Sequence, residues 1–221
     1  MKKFIAAAPF QDPKGPDVSY EVIGTNSRLK SAEKFWSYPV LQLISGYAEK
    51  GDEIAVRIIT SKKEECERNY RYIEKEVKAL CDKIHVSCDI ASFPIEDDEE
   101  IKTHLDTFQD LIEWFEEGDI IHACLTYGTK LIPVVEMMAM NFAYRDMDDV
   151  RVECIIYGKV DWDNTGGVKK IDRKRIYDVT PLFLMEQITN ELSNVHHPEP
   201  ITMIRKLLAK SEVNTDTEYQ E

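Results

Sequence analysis

The sequence predicts an α/β fold: a mainly parallel sheet flanked by helices, finished by a β-hairpin and followed by a short helical extension. Three observations carry this. Strand-like apolar runs alternate with amphipathic stretches, the pattern of repeated strand–helix–strand units. The run DIIHACLTYG is apolar enough to be buried on both faces, as central strands of a parallel sheet are. With 221 residues and 43% hydrophobic content, the chain can bury one sizeable core and a small appendage, but two full domains would be cramped.

Taken in order, KFIAAAPF (3–10) reads as a central first strand. A loop rich in Pro, Asp and Gly follows, and Asn26 and Ser27 are placed to start a helix over 28–49. EIAVRIIT (53–60) is the second strand. Its helix begins near Ser61, with Tyr70, Ile73, Val77, Leu80 and Cys81 at helical spacing. HVSCDIASFPI (85–95) is the third strand, and EDDEE (96–100) opens a helix that carries Ile101, Leu105, Phe108, Leu111, Ile112 and Phe115 inward. Carboxylates at a helix start interact favourably with its dipole, so this run reads as a solvated cap in preference to a metal site.

The fourth strand covers 119–128. The helix behind it carries Leu131, Ile132, Val134, Val135, Met138, Ala139 and Phe142, is apolar over much of its circumference, and is expected to pack against the sheet and a second surface. VRVECIIYGKVDW (150–162) and KKIDRKRIYDVT (169–180) flank the turn residues DNTGG and predict a hairpin. Helices follow over 181–193 and 200–210, the second opened by Pro198 and Pro200, before the polar tail NTDTEYQE. The expected organisation is one domain over 1–180 and a helical extension with its tail over 181–221.

Composition narrows the function. The net charge of −13 opposes binding of long nucleic acid, while leaving room for a small anion in a local basic pocket. No run reaches the ~20 apolar residues of a membrane span, and MKKFIAAAPFQDP is too short for a signal peptide, so a cytoplasmic protein is expected. Five cysteines without a CxxC pair suit buried thiols, and neither a metal nor a cofactor is expected. There is no GxGxxG after the first strand. Gly46 and Gly51 have P-loop spacing, but Asp52 stands where the lysine belongs and the segment runs from helix to strand.

The stretch LTYGTK (125–130) has two readings. One is a helix cap with a surface lysine. The other is an anion pocket: ligands of open parallel sheets bind beyond the carboxyl ends of the strands, where Gly128 admits a close approach, Thr126 and Thr129 donate hydrogen bonds, and Lys130 adds charge beside the helix dipole. Tyr127 lies within the same wall. The loop from Pro9 to Lys30 is expected to emerge on that edge too, which makes Phe10, Gln11, Asn26, Ser27 and Arg28 candidates for the opposite wall, against the plain reading of solvated loop residues. His122 reads as a core histidine, and the basic run KKIDRKR as a solvated strand face.

The span DIIHACLTYGTKLIPVVEMMAMNFAYR, then VECIIYGKVD and IYDVTPLF, resembles the CARF domain, the CRISPR-associated Rossmann-like fold, in the subgroup with a D-x-T-H-G or D-x-T-Y-G strand end. The likeness is strongest over 119–183 and extends to the first 118 residues only through the order of strands and helices. Here Leu125 replaces the aspartate that often precedes the motif threonine, and Asp119 lies at the start of the strand. The resemblance implies a homodimeric sensor of cyclic oligoadenylate, tetra- or hexa-adenylate, in type III CRISPR antiviral signalling. It also implies a catalytic role for Lys130 if the ring is cleaved, by metal-independent attack of a ligand 2′-hydroxyl on the adjacent phosphate. No arginine is followed four to six residues later by a histidine, so a HEPN ribonuclease is not expected and any effector domain or partner protein lies elsewhere.

Overall fold

The computed structural model of the protein describes residues 1–11, 20–30, 38–163 and 170–211. Two compact units follow one another along the chain, Met1–Thr180 and Pro181–Glu221. The first is built on a seven-stranded sheet in the order β2-β7-β6-β5-β1-β3-β4. Its strands are β1 Lys2–Ala7, β2 Tyr20–Ile23, β3 Glu53–Ser61, β4 Ser87–Ile95, β5 Ile120–Cys124, β6 Arg151–Asp163 and β7 Lys170–Asp178. The helices are α1 Ser27–Lys30, α2 Pro39–Tyr47, α3 Glu64–Ile84, α4 Ile101–Trp114 and α5 Ile132–Asp146, with α6 Thr180–Asn194 and α7 Pro200–Ser211 in the C-terminal part.

β1 lies at the centre, parallel to β3 on one side and to β5 on the other. After β1 the chain visits β2 at the far edge, enters β3 beside β1, steps on to β4, then returns across the sheet to β5 and continues to β6. Right-handed crossovers put α3 on one face and α4 and α5 on the other, and α2 packs beside α3. The reversal falls between β1 and β5, which is where a crevice opens in sheets of this kind. Five strands are parallel, and β6 and β7 form the predicted hairpin. Its expected turn, Asn164–Gly167, lies outside the described residues.

The core follows from the strand pattern. Phe4, Ala6, Val56, Ile58, Cys124 and Ile156 alternate onto the α2–α3 face, where they meet Leu41, Ile44, Ile73 and Val77. Burying a side chain of the size of Phe4 stabilises by about 1.5–3 kcal/mol. α3 is bounded by local chemistry. Glu64, Glu65 and Glu67 occupy its first turn, Lys83 its last, and His85 takes a left-handed conformation at its end (φ 60°).

Four expectations need correction. The polar loop contains a strand: β2 pairs in parallel with β7, and since β7 is antiparallel to β6, β2 runs against the five central strands. The single helix over 28–49 is instead α1 and then α2, which Pro39 opens; residues 31–37 lie outside the described set. α4 does not carry all of its expected apolar positions inward: Ile101 and Leu105 are exposed, and its buried side chains are Thr103, His104, Thr107 and Leu111, while α5 packs on α4 through Phe108 and Phe142. The basic run is not uniformly solvated. Lys174 is buried with its ammonium 5.4 Å from the Tyr20 ring centre, and Arg175 pairs with Asp161.

Candidate functional site

At the carboxyl edge of the sheet, beside the reversal point, lies a cleft of about 310 Å³. The ends of β1 (Ala7, Ala8, Phe10), β3 (Ile59, Ser61) and β4 (Ile95) form its floor and sides, with Lys63 from the start of α3, residues 96–99 ahead of α4, and Gly128, Thr129 and Ile132 ahead of α5. Three helix N-termini thus surround it. Helix starts favour anions through their N–H groups, but at α5 the Ile132 N–H donates to the Thr129 carbonyl and Pro133 has none, and the lining carries the carboxylates of Glu96, Asp97, Asp98 and Glu99 beside Lys63.

The chain holds this edge through specific bonds. β1 ends before Pro9, which has no N–H for a ladder. Asn69, fully buried on α3, donates from Nδ2 to the Pro9 carbonyl (2.7 Å) and to that of Gln11 (3.4 Å), and so keeps Phe10 in the cleft. Asn69 was not among the expected residues. A lone amide at a core-facing helical position was its sequence signal.

The TYGTK turn mixes scaffold and site. Thr126 is scaffold: its hydroxyl accepts from the Gly158 N–H (2.8 Å) and lies 3.2 Å from the Cys124 sulfur. Gly158 has no room for a side chain, because a Cβ there would sit 2.7 Å from Pro39 Cγ. Tyr127 meets the Tyr20 hydroxyl at 3.4 Å, and burial pushes both phenols up, Tyr20 to about 12. Gly128 has φ +95°, and a Cβ would sit 3.2 Å from Ala7 Cβ and Ile132 Cβ, so this glycine closes the turn against β1 and α5. Thr129 lines the cleft, and its Oγ1 is shielded from water with no hydrogen-bond partner among the described residues. Lys130 is exposed and does not line the cleft.

The expected opposite wall divides in the same way. Phe10 is in the cleft, its ring centre 5.1 Å from the Lys63 ammonium, whereas Gln11 is exposed and does not line it. Asn26, Ser27 and Arg28 are at the other end of the sheet, because β2 carries the chain back to the amino edge before them. Asn26 caps α1 by accepting from the Leu29 N–H (3.2 Å) and donates to Tyr47 (2.9 Å) and Asp178 (2.6 Å). Ser27 is exposed at the start of α1. Arg28 lies over the Tyr47 ring and bridges Glu49 (2.9 Å) and Glu153 (3.0 Å). His122 belongs to this amino-edge network: it is fully buried, stacks on Phe4 at 4.5 Å, lies 3.3 Å from Glu153, and burial holds its pKa below the usual histidine range.

No family model matches this chain, and no curated protein matches it. The chemistry of the cleft therefore rests on its own residues.

Its charge is mixed. Lys63 is the cation lining it, and its ammonium is 2.9 Å from Asp97, whose hydrogen bond raises the lysine pKa. Lys62 pairs with Glu96 outside the lining. Asp98 accepts from the Glu100 N–H (3.0 Å), and its bond with Thr103 comes first among the interactions that lower its pKa. Asp98 thus closes a turn ahead of α4, whose N-cap residue Glu100 makes no side-chain capping bond. Among the described residues, no group of three or more His, Cys, Asp or Glu side chains is arranged to hold a metal, and no helix is long and apolar enough to cross a membrane.

Proposed function

We propose that the protein is a cyclic oligoadenylate sensor of a type III CRISPR system that binds its ring across a homodimer. The observation that carries this reading is the position of the TYGTK turn. It joins β5 to α5 at the reversal point, and Thr129 presents an unpartnered hydroxyl on the cleft wall beside a helix start. Phe10 offers a ring on which an adenine can stack, and Lys63 a cation for a phosphate once it leaves Asp97.

Size supports sharing between two copies. A cleft of about 310 Å³ stands at the lower end for small-molecule sites and holds a nucleotide unit, not a whole ring. A two-fold ring fits a two-fold interface, since each subunit gives identical contacts to half of it. The exposed apolar side chains Leu131, Val134 and Met138 on α5, and Ile101 and Leu105 on α4, supply surface for a second copy. The same cleft size favours a second reading, a protein that binds one ordinary mononucleotide.

Ring opening would place the ligand's 2′-hydroxyl in line with its phosphate, with Lys130 stabilising the developing charge. Lys130 has to be reached by a ligand that extends past the cleft, so sensing is the primary reading. Titration calorimetry with cyclic tetra-adenylate, cyclic hexa-adenylate and AMP tests it. One ring per dimer, with binding weakened by Lys130→Glu and by Lys63→Glu, is expected. Binding of AMP alone supports the mononucleotide reading, and no binding of any of the three refutes both.

A further inference from the structure

We propose that Cys81 and Cys88 form a reversible disulfide when the protein meets a peroxide, the partly exposed Cys88 reacting first and the buried Cys81 resolving it. The two thiols are brought together by the turn between α3 and β4. Cys81 lies in the last turns of α3, on the stripe Ile73, Val77, Leu80 and Cys81 that faces the sheet. Cys88 pairs in register with Ile54 of β3, a residue of the α3-facing core, so strand alternation turns Cys88 toward α3. It packs against the cluster that contains Cys81. The intervening turn is fixed by the left-handed His85 and by the Val86 N–H donating to the Cys81 carbonyl (2.9 Å).

Their environments differ in the way the two roles require. Cys81 is 2% exposed, whereas Cys88 is only partly buried. The hydrogen bond between the thiols holds Cys88 below the usual thiol range and, with burial, raises Cys81; Lys78 and Arg57 add to the lowering of Cys88 while Asp89 opposes it. A thiolate is the nucleophile in such reactions, so the accessible member is also the more reactive. The other cysteines, Cys66, Cys124 and Cys154, are all buried.

The chemistry balances with one equivalent of hydrogen peroxide. The Cys88 thiolate attacks one peroxide oxygen, the O–O bond breaks, and Cys88 becomes a sulfenic acid while the departing hydroxide takes a proton to give water. The Cys81 sulfur then attacks the Cys88 sulfur. An S–S bond forms, the S–O bond breaks, and hydroxide leaves with the Cys81 proton as a second water. Both sulfurs have been oxidised and the peroxide reduced. Any low-molecular-weight thiol reverses the step by exchange. The bond would join the far end of α3, whose start carries Lys63, to the start of β4, whose end leads into residues 96–99.

The test is treatment of the full-length protein with stoichiometric hydrogen peroxide, followed by alkylation in denaturant and intact and peptide mass analysis. The expected result is loss of two of the five thiols, an intact mass before alkylation lower by about 2 Da, two fewer alkyl groups after it, and a Cys81–Cys88 linked peptide that dithiothreitol separates. Cys81→Ala should stop at the sulfenic acid on Cys88, trapped by dimedone, and Cys66→Ser should cross-link like the wild type. Retention of five thiols, over-oxidation of Cys88 without a cross-link in the wild type, or a link between other cysteines would overturn the proposal.

Discussion

Replacing Glu136 should stabilise the protein, and the gain should grow with pH. Glu136 lies on the sheet-facing stripe of α5 among Ile132, Val135, Ala139 and Met140, is 1% exposed, and neither carboxyl oxygen has a hydrogen-bond partner among the described residues. Burial pushes its pKa well above the usual carboxylate range. The folded chain therefore keeps a proton that the unfolded chain releases near pH 4.3. Because the folded state binds the extra proton, stability falls as pH rises from that value toward the raised folded pKa. Glu136→Met keeps the volume and removes both the proton linkage and the unpartnered polar atoms. Protein data put the cost of such unpartnered burial at about 1–3 kcal/mol. For a chain of this length that corresponds to a rise in Tm of roughly 2–12 °C at neutral pH. Thermal melts of wild type and variant at pH 5 and pH 8 measure it, and the gap between them should widen at pH 8. A variant less stable than wild type, with a gap indifferent to pH, would show that the carboxylate is paired and refute the reasoning.

Other positions test the division between scaffold and site. Gly128→Ala forces a side chain into φ +95° with its Cβ 3.2 Å from Ala7 and Ile132, and should cost about 2 kcal/mol, read as a lower urea midpoint. Arg28→Ala removes ion pairs whose arginine is 38% exposed, so a loss of about 1 kcal/mol is expected, with ligand affinity unchanged in calorimetry because the residue is at the amino edge. Asp97→Asn removes the competitor for Lys63 and should strengthen binding of an anionic ligand by about fivefold at low salt, an advantage that shrinks as salt is added. An unchanged affinity would mean that Lys63 does not touch the ligand.

Much of the fold was legible because the central strands are buried on both faces and read as apolar runs, and α3 carries clear helical spacing with an acidic start; α4 was legible as a helix but not in its facing, since Ile101 and Leu105 are exposed. β2 was not, since four residues, YEVI, on an edge strand within a polar loop give too short a pattern. Missing it sent Asn26, Ser27 and Arg28 to the wrong edge. The reach of a loop depends on which way the chain runs between its ends, and spacing carries no such information. In TYGTK the residue types were visible but their partners were not. Gly158, a glycine inside the strand-like run IIYGKV, hinted at the close backbone approach that engages Thr126. Lys63 and Phe10 meet only through tertiary packing, across more than 50 positions of sequence.

Hydrogen–deuterium exchange of the protein with and without saturating cyclic tetra-adenylate tests the central claim most directly, that the ligand sits at the carboxyl edge between β1, β3 and β5. Slower exchange is expected in peptides covering 7–11, 61–66 and 125–133, with the amino-edge segments 24–30 and 46–52 unchanged. Protection confined to the amino edge, or none anywhere, would contradict the account.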